Sequence, residues 1–173
     1  SADDKVLYFA PVMPGTLGSF DIYAVNINKG VYDTPKNLGP QINTNKREQF
    51  PFASTDNKLY FSSDGHLGYG SLDVFVSEIN GNDYSKPVNV GLPLNSNLDD
   101  FAFNIDSNTK EGFFASNREG GKGSDDIYQF KEIKDLIVED CKQFIAGTIT
   151  DVDTQLALES ATVLLQDSEN KTL

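Results

Sequence analysis

The sequence predicts an all-β chain of propeller type, and three observations carry that expectation. Aromatic and β-branched runs alternate with Gly, Asn, Asp and Pro clusters from end to end, as antiparallel strands alternate with tight turns. No segment sustains a helical period. One plan also recurs roughly every fifty residues, within the range of propeller blades and other repeat arrays. Leu7-Tyr8-Phe9 leads to Asp21-Ile22-Tyr23, Leu59-Tyr60-Phe61 to Asp73-Val74-Phe75, and Phe113-Phe114 to Asp126-Ile127-Tyr128. In each copy the Asp follows the last aromatic of the opening run by twelve positions (9 to 21, 61 to 73, 114 to 126).

The middle copy gives the fullest reading. It predicts strands over Gln49 to Ala53, Lys58 to Ser63, Leu72 to Ile79 and Tyr84 to Val90. Ser54-Thr55-Asp56-Asn57 and Asn80-Gly81-Asn82-Asp83 supply the residues that hairpin turns need, and Asp64 to Ser71 is a longer glycine-containing hairpin loop. Gly91 to Asp100, with Pro93, is a crossing loop toward the third copy, and its counterpart Gly39-Pro40-Gln41-Ile42-Asn43-Thr44-Asn45 matches Gly91-Leu92-Pro93-Leu94-Asn95-Ser96-Asn97. Four antiparallel strands followed by a crossing loop is how propeller blades are built. The first blade is expected to lack its opening strand, because Ser1-Ala2-Asp3-Asp4-Lys5 matches the turn Ser54 to Lys58. The third is expected to run from Phe101 to about Lys134. A ring usually needs four to eight blades, so the expectation is either that the full protein is longer than these residues or that a separate chain completes the ring.

After Lys134 the plan stops. The expected organisation is blades over 1–134, a linker over 135–142 and a second β domain beginning at 143, with strands over Gln143 to Asp151 and Ala161 to Asp167.

Composition narrows the function. The chain has 173 residues, a formal charge of -12 and only two arginines, Arg47 and Arg118, which argues against a nucleic-acid or anionic-membrane surface. The single cysteine, Cys141, excludes an internal disulfide and a cysteine-based zinc site. His66 is the one histidine, which removes multi-histidine metal sites and weakens any catalytic triad; it reads as a loop residue. No catalytic, cofactor-binding or metal-binding set is expected.

Asp21, Asp73 and Asp126 are the most tempting functional residues, yet a catalytic group is seldom needed at three equivalent positions. They are read as acceptors for backbone amides or the serine of the preceding loop. A calcium site from Asp125, Asp126 and loop carbonyls is the alternative, and it would need six to eight oxygens without EF-hand-like spacing. Gly120-Gly121-Lys122-Gly123-Ser124 departs from a phosphate loop, because glycine follows its lysine and a strand follows the loop. Phe9, Phe61 and Phe114 are read as packing between blades. Gly147 is read as structural, and Asp151 with Asp153 as a solvated turn.

On these residues a family resemblance rests. Leu59 to Gly65 through Asp73-Val74-Phe75, and Ser116-Asn117-Arg118 through Gly123-Ser124-Asp125-Asp126-Ile127-Tyr128, look like the WD40-like repeats of the TolB-type propeller. Gly147-Thr148-Ile149-Thr150-Asp151, followed by Leu158-Glu159-Ser160-Ala161-Thr162-Val163, is similar to the start of a carboxypeptidase regulatory-like domain, a transthyretin-like β-sandwich with neither peptidase activity nor an implied zinc site. The order resembles the middle of OmpA-family envelope proteins of the PorE type, associated with type IX secretion. The resemblance implies a non-enzymatic protein-interaction scaffold, periplasmic and associated with the outer membrane, whose partners are other protein subunits of an envelope or secretion complex. Peptidoglycan would be held only through an OmpA-like domain that these residues do not contain. Two alternatives stand beside it: a surface carbohydrate-binding or adhesion module using loop residues such as Tyr69 and Arg118, and an accessory propeller of a hydrolase.

Overall fold

A computed structural model of the chain describes residue 1, residues 3–134 and residues 147–162. The chain divides into two compact units, Ser1–Val138 and Glu139–Leu173. Among the described residues there is no helix, and the fold is all-β.

The first unit holds three antiparallel sheets, each made from consecutive strands. Sheet one comprises β1 (Val6–Phe9), β2 (Tyr23–Asn28), β3 (Val31–Tyr32) and β4 (Lys36–Asn37). Sheet two comprises β5 (Glu48–Ala53), β6 (Lys58–Ser63), β7 (Asp73–Asn80), β8 (Asp83–Tyr84) and β9 (Val88–Asn89). Sheet three comprises β10 (Asp100–Asp106), β11 (Glu111–Ser116) and β12 (Asp126–Lys131).

Strands expected in the middle copy are found within a residue or so, except the last. That strand is split into β8 and β9, both paired to β7, and the gap contains Pro87, which has no amide to donate. Pro35 sits in the equivalent gap between β3 and β4. In sheet two, Ser85 bridges the break by exchanging bonds with Ser77 and Glu78. Sheet three has three strands among the described residues instead of the four of a complete copy; Glu132 to Lys134 is too short to supply the fourth.

Sheet two lies between the other two, and strict alternation along its strands decides what each face buries. Leu59, Phe61 and Phe75 pack with Ile22 and Ile42 on the sheet-one side. Tyr60, Val74 and Val76 pack with Phe103, Ile105 and Phe114 on the sheet-three side. A strand buried on both faces has no polar side, hence the continuous runs Leu-Tyr-Phe and Val-Phe-Val. The first strands of sheets two and three carry the same bulge: pairing slips between Gln49 and Phe52 and between Phe101 and Asn104, with Phe50 (φ 54°) and Ala102 (φ 51°) in the left-handed region.

In the second unit the described residues form one tight turn closed by a bridge between Thr150 and Ala157. The Asp151 carboxylate accepts the amides of Asp153 (3.1 Å) and Thr154 (2.8 Å) and the Thr154 hydroxyl (2.9 Å). The Thr154 amide, its hydroxyl and the Asp153 amide hold that carboxyl below its usual value. Gly147 to Ile149 and Ala161 to Thr162 form no strand. Residues 143–146 and 163–167 of the two expected strands, the linker and Cys141 lie outside the described residues. Among the described residues, a Cβ on Gly147 would meet no atom within 4 Å.

Candidate functional site

The polar residues of the repeat converge where each long hairpin loop meets the strand that follows it. Asp21 accepts the amides of Leu17 (2.7 Å) and Gly18 (3.1 Å). Asp73 accepts those of Tyr69 (2.7 Å) and Gly70 (3.0 Å), and Asp126 those of Lys122 (2.8 Å) and Gly123 (3.1 Å). All three carboxylates thus hold the residues four and three positions upstream. In two loops a glycine lets the carboxylate approach: a Cβ on Gly68 would lie 1.8 Å from Asp73 Oδ2, and one on Gly121 2.0 Å from Asp126 Oδ2. That contact explains Gly121 in the Gly-Gly-Lys-Gly segment; Gly120 is there for its φ of +92°.

An asparagine from the next crossing loop locks the residue after each of the first two aspartates. Asn43 Oδ1 accepts the Ile22 amide (2.7 Å) while its Nδ2 donates to the Ile22 carbonyl (2.9 Å). Asn95 does the same for Val74, at 2.8 and 2.9 Å. Behind each stands a second asparagine: Asn37 Oδ1 accepts Asn43 Nδ2 and the Gly39 amide, and Asn89 Oδ1 accepts Asn95 Nδ2 and the Gly91 amide. These roles recur fifty-two positions apart (37 to 89, 43 to 95). Neither asparagine pair was singled out from sequence, although the match of Gly39–Asn45 with Gly91–Asn97 already placed Asn43 against Asn95.

One difference separates the two copies. Asn37 Nδ2 donates to Asp21 Oδ2 (2.6 Å), whereas the equivalent Asn89 Nδ2 and Asp73 Oδ1 are buried without a partner among the described residues. Burial accordingly pushes the Asp73 carboxyl above its ordinary value, against the opposing effect of the Gly70 and Tyr69 amides, and the nearby Asp100 adds to the rise.

The first strand of each following sheet opens on a buried acid. Glu48 accepts the Thr44 amide and hydroxyl and the Ser63 hydroxyl, each at 2.7 Å. Asp100 accepts the Ser96 amide and hydroxyl and is paired with Arg118 Nη2 at 2.6 Å. Arg118 also donates to Ser116 Oγ (3.0 Å) and to the carbonyls of Pro93 and Leu94. Its guanidinium lies over Phe114 and Tyr128, 4.9 and 5.0 Å from the ring centroids. Arg118 is therefore an internal tie, while Tyr69, the other loop residue considered for glycan contact, is exposed.

Phe61 and Phe114 lie buried against the preceding sheet, Phe61 beside Phe75 and Phe114 beside Tyr128; Phe9 is half-buried beside Tyr23. His66 packs against Phe61 and Phe75, with Nε2 2.8 Å from the Ile42 carbonyl. A surface groove of about 530 Å³ is bordered by Leu7, Tyr8, Phe52, Ser54, Ile105 and Asp106. Among the described residues, no three His, Cys, Asp or Glu side chains are grouped to hold a metal ion.

Comparison with protein families, with characterised proteins and with solved structures finds no match. The chemistry must be read from the geometry alone. What the arrangement does is fasten backbone: each recurring carboxylate and asparagine joins a loop to a strand or one sheet to the next.

Proposed function

We propose that this chain is a non-enzymatic protein-interaction scaffold in which the three sheets are blades of an open propeller arc, followed by a transthyretin-like β-sandwich. The observation that carries this reading is the engagement of the recurring polar side chains: Asp21, Asp73, Asp126, Asn43, Asn95, Glu48 and Asp100 all bind backbone amides within the first unit. Such groups set a rigid frame for loops, which is what a docking platform requires. Resemblance in repeat and domain order supports a periplasmic place at the outer membrane, linking a type IX secretion or gliding machinery to the cell envelope. No cofactor or nucleic acid takes part, and peptidoglycan is reached only through another domain.

The test is affinity purification of the tagged protein from chemically cross-linked envelopes of its native host. Stoichiometric recovery of outer-membrane or secretion subunits is the expected result. Recovery of the protein alone, or with cytosolic proteins only, would remove the reading.

A further inference from the structure

We propose that Asn80-Gly81, at the tip of the hairpin between β7 and β8, is a self-modifying site. The Gly81 main-chain nitrogen attacks the Asn80 side chain, the asparagine becomes aspartate or isoaspartate, and the isoaspartate form releases the short strand that fastens sheet two to sheet one.

This chemistry asks three things of a site: an asparagine side chain that nothing holds, an unshielded nitrogen in the next residue, and access for water. Asn80 is exposed, and its side chain has no hydrogen-bond partner among the described residues. Gly81 stands at the first central position of a two-residue loop with φ +67°, where a type II′ turn takes glycine. A Cβ built on it would meet nothing within 4 Å, so neither a side chain of its own nor a neighbour covers its nitrogen. Among the described residues its amide donates to no main-chain acceptor.

Comparable positions are closed. The equivalent turn of sheet one reads Asn28-Lys29-Gly30-Val31; there Asn28 donates to Asp33 Oδ2 (3.3 Å), and a lysine side chain stands beside the nitrogen. Asn43 and Asn95 commit both ends of their amides to the clasps. Asp64 also precedes a glycine, but Arg47 holds its two carboxylate oxygens, each at 2.9 Å, and the Gly65 amide is engaged by Ser63 Oγ at 2.9 Å. Asn80-Gly81 is the one Asn-Gly pair of the sequence, and the fold leaves it open.

In the first step the Gly81 nitrogen bonds to Asn80 Cγ while the Cγ–Nδ2 bond breaks, and Nδ2 leaves as ammonia with the Gly81 amide proton. Water then opens the resulting five-membered ring. Cleavage at Cγ yields aspartate; cleavage at the Asn80 main-chain carbonyl carbon yields isoaspartate, whose main chain runs through the side-chain methylene. One water is consumed, one ammonia is released, and nothing is oxidised or reduced.

Isoaspartate lengthens the main chain by that methylene. A two-residue loop has no slack to absorb it, so the pairing of Asn80 with Asp83 and of Ile79 with Tyr84 is lost. Tyr84 is the residue that matters. Its ring packs against the Ile22, Ile42 and Phe61 cluster and meets Tyr8 of β1 edge-on, with the two hydroxyls 3.2 Å apart. Its carbonyl accepts Gln41 Nε2 from the crossing loop. One change at the turn thus loosens the seam between the first two sheets.

The test incubates the purified chain in mildly alkaline buffer beside a free peptide of residues 77–85, and follows both by mass spectrometry with isoaspartyl methyltransferase labelling. Conversion of Asn80 in the folded chain is expected within about tenfold of the peptide's rate, faster as pH rises because the attacking nitrogen must shed its proton, and at least tenfold slower in Asn80→Gln. In the isoaspartate form, isolated by ion exchange, hydrogen exchange at the Ser85 amide, which is bonded to the Glu78 carbonyl at 3.0 Å, should accelerate at least tenfold. Asn80→Asp should keep native protection there, assigning the effect to the lengthened backbone and not to the new charge. A folded-chain rate below a tenth of the peptide's, or one unchanged by Asn80→Gln, would overturn the proposal. So would native protection of Ser85 in the isoaspartate form, or equal loss of protection in Asn80→Asp.

Discussion

Replacing Asn95 by alanine isolates the asparagine clasp. Asn95 is buried, accepts the Val74 amide, and donates to the Val74 carbonyl and to Asn89 Oδ1. Truncation orphans the Val74 amide at a fully buried residue, a loss of about 2 kcal/mol. The two acceptors fare better, because Val90 still donates to the Val74 carbonyl and Gly91 still donates to Asn89. Losing their second donor adds roughly 0.5 kcal/mol each, for a total near ~3 kcal/mol. With a urea slope of about 2 kcal/mol per M, the midpoint should fall by roughly 1.5 M. The chain has no tryptophan and seven tyrosines, so far-ultraviolet circular dichroism with tyrosine fluorescence is the suitable readout. Asn43→Ala should show the same loss, since Leu38 likewise keeps the Ile22 carbonyl occupied. Asn95→Asp preserves volume but cannot donate to either acceptor, so at neutral pH it should cost at least as much as alanine. Exposed Asn97→Ala should cost less than about 0.5 kcal/mol. Losses below about 1 kcal/mol at both clasps, or a harmless Asn95→Asp, would refute the reasoning.

Gly70→Ala should lose about 2–3 kcal/mol by driving a methyl toward the Leu98 carbonyl, whereas Gly123→Ala should change stability by less than about 0.5 kcal/mol; urea melts of the pair check this. Arg118→Ala should cost roughly 3–5 kcal/mol because it leaves the buried Asp100 carboxylate without its cation, and Arg118→Lys should recover only part of that, lacking the flat stacking surface over Phe114 and Tyr128. Asp73 gives a pH signature. Its carboxyl is raised in the fold by burial, so its contribution is fully present below the ordinary value of 3.8 and is lost as pH climbs through the raised one. Asp73→Asn should therefore gain stability relative to wild type between pH 3.5 and pH 7 in parallel melts; a difference independent of pH would contradict the assignment.

The strands and hairpin turns of the middle copy were legible because their causes are local. Leu59-Tyr60-Phe61 announces a strand buried on both faces, and Asn80-Gly81-Asn82-Asp83 announces its turn, from a few adjacent residues. The recurrence of Asp21, Asp73 and Asp126 was equally visible, and their partners lie only three and four positions away. The clasps were not legible, since Asn43 and Ile22, or Asn95 and Val74, lie twenty-one positions apart and meet only after the crossing loop has folded back against the sheet it leaves. The break of the fourth strand at Pro87 could have been foreseen; the alternating run around it masked a residue that cannot donate to the ladder.

The least legible feature is an exchange of reach between two side chains. Glu48 and Asp100 occupy equivalent positions, and both are fully buried, yet one is a methylene shorter. Glu48 is long enough to meet the Ser63 hydroxyl directly, and the residue two after Ser63 is Gly65, where a Cβ would strike Thr44 Oγ1 at 1.8 Å. In the next copy the acid is shorter and the residue two after the equivalent Ser116 is Arg118, whose guanidinium reaches Asp100. Length removed from the acid is returned by the base. Position by position, Glu to Asp and Gly to Arg look like two unrelated departures from the repeat. Physically they are one: each site must neutralise or fully bond a buried carboxylate, and either a threonine with a serine or an arginine with a serine suffices. It follows that exchanging only one member should fail. Asp100→Glu alone would crowd Arg118, Gly65→Arg alone would collide with Thr44, and each should cost more than the paired change Asp100→Glu with Arg118→Gly, which rebuilds the Glu48 arrangement around Ser96 and Ser116.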